Sequence, residues 1–295
     1  MHFIRAIAGL IVLALLVVAV GFLAHHLILR KQPVQTIRET PVLKKTPTFE
    51  IYPKEKTAVY KPVAKPRITL PPELPKVAII IDDIGYDRIM AEKFIDLEAV
   101  LTFSLLPYSP FQEKIISKAQ AKGFDIMLHL PMEPLEYPEV DPGPGRLLVL
   151  MSPDQLIAQL NQNLNAVPYI QGVNNHMGSK MTADSSQMNQ IFSVLKKKGL
   201  FFIDSRTTDK SLCHQSARLL QVPFAQRDVF LDNIQEPEFI RKQINRLVQI
   251  ANRDGEAIGI AHPHPATYEV LREALPDLQK KVQLVPASRV VHIIS

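Results

Sequence analysis

From Lys76 onward the chain alternates short apolar runs with stretches of helical periodicity, and this alternation limits the fold more than any other feature. Residues 77–81, Val-Ala-Ile-Ile-Ile, form a continuous apolar run of the kind found in strands buried on both faces. Asp87 is placed to cap a helix whose apolar stripe is Ile89, Met90, Phe94 and Leu97. The pattern then repeats: strands near 100–105, 125–128, 171–175, 200–203, 257–261 and 281–284, with another ending near Asp232. The predicted helices are 110–122, 152–165, 184–198, 211–220, 237–252 and 268–274. Gly123, Gly199 and Gly255 are helix stops, and Pro153 follows Ser152 as a first-turn proline after its cap. About seven or eight strands separated by helices predict a parallel α/β sheet or an α/β barrel. The span 76–295 suits a single barrel domain.

Two segments precede this domain. Residues 6–24 carry no charge and are mostly Leu, Val, Ala and Ile. A membrane helix needs roughly 20 such residues, so residues 1–30 are predicted to hold a single-pass anchor. A cleavable signal peptide competes, but its apolar core is usually only about 7–15 residues, and no small-x-small cleavage site follows here. Residues 31–75 contain nine of the 24 prolines and no glycine, the composition of an extended, semi-rigid spacer. Residues 1–75 also hold 11 Lys/Arg against 4 Asp/Glu, leaving the rest of the chain nearly neutral. The basic balance therefore belongs to the tail, and a nucleic-acid groove on the domain is not expected.

The polar residues collect where the strands end. Asp82 and Asp83 close the first strand, His129 the third, Asn174, Asn175 and His176 the fourth, Asp204, Ser205 and Arg206 the fifth, and His262 a late one. In parallel α/β folds these ends share one rim, where active sites form. Each residue also has a plain structural reading: Asp82 or Asp83 as a turn cap, His129 as a core histidine on a carbonyl, Asp204 as a cap shared with Ser205. Together they suit a divalent metal with open positions, held by histidines and a carboxylate. Asp82 and Asp83 are one strand position apart and so are expected to face different sides, one toward a metal and one toward a water. No Gly-x-Ser-x-Gly elbow is present, and the single cysteine, Cys213, lies in a predicted helix. His264 is expected to be a rim residue without a ligand role.

Five motifs in order, Ile80-Ile81-Asp82-Asp83-Ile84-Gly85, His129-Leu130-Pro131-Met132-Glu133-Pro134, Asn174-Asn175-His176-Met177-Gly178-Ser179, Asp204-Ser205-Arg206-Thr207 and Ile260-Ala261-His262, resemble the divergent polysaccharide deacetylase family. That family is a branch of the metal-dependent deacetylases of carbohydrate esterase family 4, whose fold is a distorted (β/α) barrel and whose members remove acetyl groups from sugars. The resemblance implies Asp82 as general base, Asp83 and His129 as metal ligands and His262 as general acid. Glu133 stands where the typical enzymes have a second metal-binding His, and His176 is the natural substitute ligand. Asn174 and Asn175 stand where an Arg-containing motif is usual. With Asp204, Arg206 and Glu133 they are the expected substrate-binding residues. The implied activity is metal-dependent hydrolysis of acetyl groups on an N-acetylated cell-envelope glycan, with zinc as the expected ion and the domain held outside the cytoplasm, in the periplasm, by an inner-membrane anchor. A glycan- or protein-binding module on the same barrel is the alternative.

Overall fold

The computed structural model describes residues 73–295; the expected anchor and the proline-rich linker lie outside the described residues. The elements run β1 (Lys76–Ile84), α1 (Arg88–Ile95), β2 (Thr102–Leu105), α2 (Gln112–Ala121), β3 (Asp125–Met132), α3 (Pro153–Ala166), β4 (Gly172–Met177), α4 (Ser185–Lys198), β5 (Phe201–Asp204), α5 (Cys213–Leu220), β6 (Phe224–Gln226), β7 (Val229–Phe230), α6 (Pro237–Asp254), β8 (Glu256–Ala261), α7 (Pro265–Lys281) and β9 (Gln283–Leu284). The sheet order is β6-β5-β4-β3-β2-β1-β8-β7, with β9 beside β1. Every pairing between these strands is parallel, and an isolated antiparallel bridge joins Phe224 of β6 to His292. That order is the ring of a (β/α) barrel opened between β6 and β7, which is the distorted barrel expected from the sequence.

Strand parity builds two cores. Along β1, Val77, Ile79 and Ile81 pack in the layer between strands and helices, whereas Ala78 and Ile80 join Met127, Ile203, Phe230, Ile258 and Ile260 in a second cluster. The central strands are thus buried on both faces, and β1's apolar run is continuous rather than alternating. Counting by twos from this inner cluster carries Asp82, His129 and His262 to the mouth of the barrel.

The helices end where the sequence marks them. Ser152 and Gln155 form a reciprocal capping box at α3, Asp184 caps α4, and Gly199 and Gly255 close α4 and α6 in the left-handed conformation. One expected helix is longer: α7 reaches from Pro265 to Lys281, with Pro276 inside it. Pro276 is exposed, so the backbone group it frees meets solvent, while Val270, Leu271, Leu275 and Leu278 keep the apolar stripe unbroken. Among the described residues no helix is long and apolar enough to cross a membrane.

Candidate active site and metal centre

Register brings the strand-end residues together. β3 and β4 pair His129 with Asn174 and Pro131 with His176, and β1 and β8 run in register up to Ile81 and Ala261. Asp82 and His262 therefore leave adjacent strands at the same level. Asp82, His129, Asn174, His176 and His262 are all buried.

Asp83 departs from the expectation. By parity it would face the helix layer, away from Asp82. Instead its φ is 53° and the β1–β2 register shifts between Ile81 and Ile84, so the chain kinks there and turns its carboxylate back. Both aspartates then approach His129 Nε2, Asp83 Oδ1 at 3.3 Å and Asp82 Oδ2 at 3.7 Å. A left-handed aspartate at a rim is the local strain that functional sites carry.

Asp83 Oδ1, His129 Nε2 and His176 Nδ1 form a compact triangle. The sides are 3.3 Å, 3.0 Å from Asp83 to His176, and 3.2 Å between the imidazole nitrogens. Ligand atoms about 2.0–2.2 Å from one tetrahedral ion would stand roughly this far apart. Asp83 Oδ1 is buried and has no well-formed hydrogen bond despite two nitrogens at contact distance. With both ring nitrogens unprotonated, the three atoms converge as acceptors, a set that fits a divalent ion between them. Asp83 responds to the same neighbours: burial pushes its carboxyl up, but His176 and His129 outweigh burial and hold it well below the usual carboxylate range.

Asn174 ties this triangle to Asp82. Its Nδ2 donates to both carboxylate oxygens of Asp82, at 2.8 and 3.0 Å. Its Oδ1 accepts from Ser104 Oγ at 2.5 Å and from His129 Nδ1 at 2.9 Å. An ionised carboxylate only accepts, which fixes the amide with its nitrogen toward Asp82. His129 must then carry its proton on Nδ1, leaving the Nε2 lone pair for the triangle. Burial raises the Asp82 pKa above the ordinary carboxylate value, with His129, His262 and the Asn174 amide pulling against it and Asp83 adding to the rise.

His262 has a carboxylate partner from another strand end. Asp232, two residues beyond β7, accepts from His262 Nδ1 at 2.9 Å, from the His262 backbone N–H at 2.6 Å and from Thr267 Oγ1 at 2.8 Å. Burial alone would lower the His262 pKa. The Asp232 carboxylate outweighs it, with help from Asp83 and Asp82, and raises the value to about 10. The signal for Asp232 was available, since it too lies just past a strand on the same rim. Asp232, His262 and His264 also bring donor atoms within 4.8 Å of one another. Both Asp232 oxygens are engaged, however, and His264 pairs with Gln235 at 3.1 Å, so the Asp83 triangle is the better ion site.

Three of the remaining expected substrate contacts, Asn175, Asp204 and Glu133, are bonded within the scaffold. Asn175 braces the β5 loop, accepting from Ser205 N and donating to the Met177 carbonyl. Asp204 accepts from Arg206 N and Ser211 Oγ. Glu133 binds Lys180 Nζ at 2.5 Å and Val149 N at 2.6 Å, so it turns away from the triangle that His176 completes. Arg206 sits on the rim with φ 56° and is partly buried.

The divergent polysaccharide deacetylase family model matches residues 79–291. The chain belongs to that family. The match contains every residue of the site just described. Among curated proteins, YibQ of Escherichia coli K12, named as uncharacterized, is 36% identical over 217 residues, covering 74% of this chain and 67% of that protein. An uncharacterized protein of Haemophilus influenzae Rd is 34% identical over 210 residues, or 71% of this chain and 74% of its own. The crystal structure of an uncharacterized protein from Agrobacterium tumefaciens C58 superposes with a TM-score of 0.72 at 26% identity, covering 76% of this chain and 92% of that one.

Proposed function

We infer that this protein is a metal-dependent deacetylase acting on an N-acetylated cell-envelope glycan. The observation that carries the reading is the Asp83–His129–His176 triangle with Asp82 and His262 beside it. Zinc is the ion that two histidines and one carboxylate suit, and when bound it supplies Lewis-acid polarisation of the acetyl carbonyl and of water. Asp82, aimed by Asn174, takes the proton of the attacking water. His262, with Nδ1–H committed to Asp232, presents its other proton at Nε2 and gives it to the departing amine. Water and amide thus become acetate and a free amine. The flanking aspartates keep His262 protonated until it is needed.

Residues 6–24 as an inner-membrane anchor, with 31–75 as the spacer that sets the barrel out in the periplasm, complete the reading. The full chain is expected to require detergent, and the purified chain loaded with zinc is expected to release acetate from N-acetylglucosamine oligomers until a chelator is added. A mature chain shortened at a signal-peptide site would overturn the anchor. Metal and glycan binding without acetate release would leave a binding module instead of an enzyme.

A further inference from the structure

Beside the site, the loop between β2 and α2 carries a tyrosine that is held with unusual care. Tyr108 has φ 58°, a left-handed backbone that a bulky residue adopts at a cost. Its hydroxyl donates to Asn163 Oδ1 at 3.1 Å, and Asn163 is itself buried, bonded to the Gly145 carbonyl at 2.6 Å and to Gln159 at 3.0 Å. Gly145 backs the ring: a Cβ there would stand 2.9 Å from Tyr108 Cε2 and 2.5 Å from Asn163 Oδ1. The ring is thus anchored at its hydroxyl and pressed by bare backbone, yet Tyr108 remains 46% exposed.

Its place matters as much as its rigidity. Leu106 N donates to the Ile84 carbonyl and Phe111 N to the Gly85 carbonyl, at 3.0 and 3.1 Å, so this loop is laced to the residues that directly follow Asp83. Gly85 has no room for a side chain, because a Cβ there would overlap Ser109. With about 3.8 Å between consecutive Cα atoms and the Ile84–Leu106 hydrogen bond as the link, Tyr108 and Asp83 lie within roughly 18 Å of each other on one rim. The exposed tyrosines and phenylalanines among the described residues are Tyr108, Phe111 and Tyr169. Two of them share this loop; Tyr169 precedes β4 and so lies at the opposite end of the barrel.

We propose that Tyr108 is the floor of a second sugar subsite, stacking on the apolar face of a pyranose ring beside the unit being deacetylated. The proposal rests on the deacetylase reading for its ligand class and deepens it: the substrate is a polymer, gripped over more than one unit. A rigid, pre-positioned ring gives up little entropy on binding, and contact remote from the reacting bond is a source of affinity that a lone sugar cannot use. Asn163, Gly145 and the left-handed backbone present the ring but do not touch the sugar.

The test is a binding ladder on the full chain in detergent. N-acetylglucosamine and O-acetylated hexose ligands are titrated calorimetrically as mono-, di- and tetrasaccharides. The expected result is tighter binding of the longer ligands, and a loss of roughly three- to tenfold on the tetrasaccharide, but none on the monosaccharide, in Tyr108→Asn. Asn tolerates the left-handed backbone and removes the ring. Tyr108→Phe, which keeps the ring and loses the anchor, should retain most of the gain. Independently of any ring deletion, the Tyr108 ring resonances of the unmodified chain, assigned with Tyr108→Phe, should shift with the tetrasaccharide and stay still with the monosaccharide. The proposal is overturned if no ligand gains affinity with length, if Asn and Phe lose it equally, or if the ring resonances ignore the tetrasaccharide. These readouts are separate from acetate release: absence of acetate with the ladder intact would refute the deacetylase and leave the subsite standing.

Discussion

Asp82→Asn is expected to lower deacetylation by about 10²–10⁴-fold while the bound metal stays in place. Asn keeps the shape of the side chain and can still accept from Asn174 Nδ2, but it cannot take a proton. The same change is expected not to harm the fold. Asp82 is buried and its pKa is raised, so the folded state holds the proton more tightly than the unfolded chain does. Stability from this group therefore falls as pH rises past the ordinary carboxylate value of 3.8. Removing the charge should leave the metal-free protein, at neutral pH, as resistant to heat as the parent or more so. Loss of activity combined with unchanged or raised melting temperature is the signature of a residue kept for chemistry. A variant that loses activity only because it unfolds would contradict this assignment.

His262→Gln should cost a similar 10²–10⁴-fold, and its pH behaviour separates it from Asp82. The sequence alone suggests a basic limb near roughly 6.5, where an unperturbed histidine titrates. Asp232 holds the imidazolium in place and raises the His262 pKa to about 10, so the limb is expected well above 6.5. Stability should follow the same window: the His262–Asp232 pair contributes fully below the ordinary value of 6.5 and is lost as pH climbs through about 10. Melting curves of the metal-free parent and of His262→Gln should therefore differ at pH 6 and converge toward pH 10. Asp232→Asn should draw the basic limb of the rate profile back toward neutrality. A limb that stays put in Asp232→Asn would show that this carboxylate does not set the acid.

Much of this was legible in the sequence. The continuous apolar runs and the caps located nearly every element, and the rim rule found both aspartates and the three histidines of the site. Parity, counted from the inner core cluster, sharpens that rule. It selects Asp82, Ser104, His129, Asn174, His176, Asp232 and His262, and it turns Asn175 and Asp204 away, where they brace loops. That count needs strand registers, which a single sequence supplies only within a few residues; β3, for example, runs on to Met132, three residues past His129. Parity fails at Asp83 for a different reason. Its turn toward the site comes from a left-handed backbone and a register shift, a tertiary feature that strand alternation cannot encode. Asn174 was expected to meet substrate because its neighbours do chemistry, whereas its amide is spent joining Asp82, His129, Ser104 and Ser205.

His176, and not Glu133, is expected to complete the ion site. Glu133 is held by Lys180 and Val149, whereas His176 Nδ1 stands 3.0 Å from Asp83. The direct measurement is metal content by mass spectrometry after dialysis of the full chain, as parent, His176→Ala and Glu133→Ala, each first shown to be folded. One zinc per chain in the parent and in folded Glu133→Ala, with loss of most of it in folded His176→Ala, is the predicted result. Full zinc in His176→Ala with loss in Glu133→Ala would contradict it.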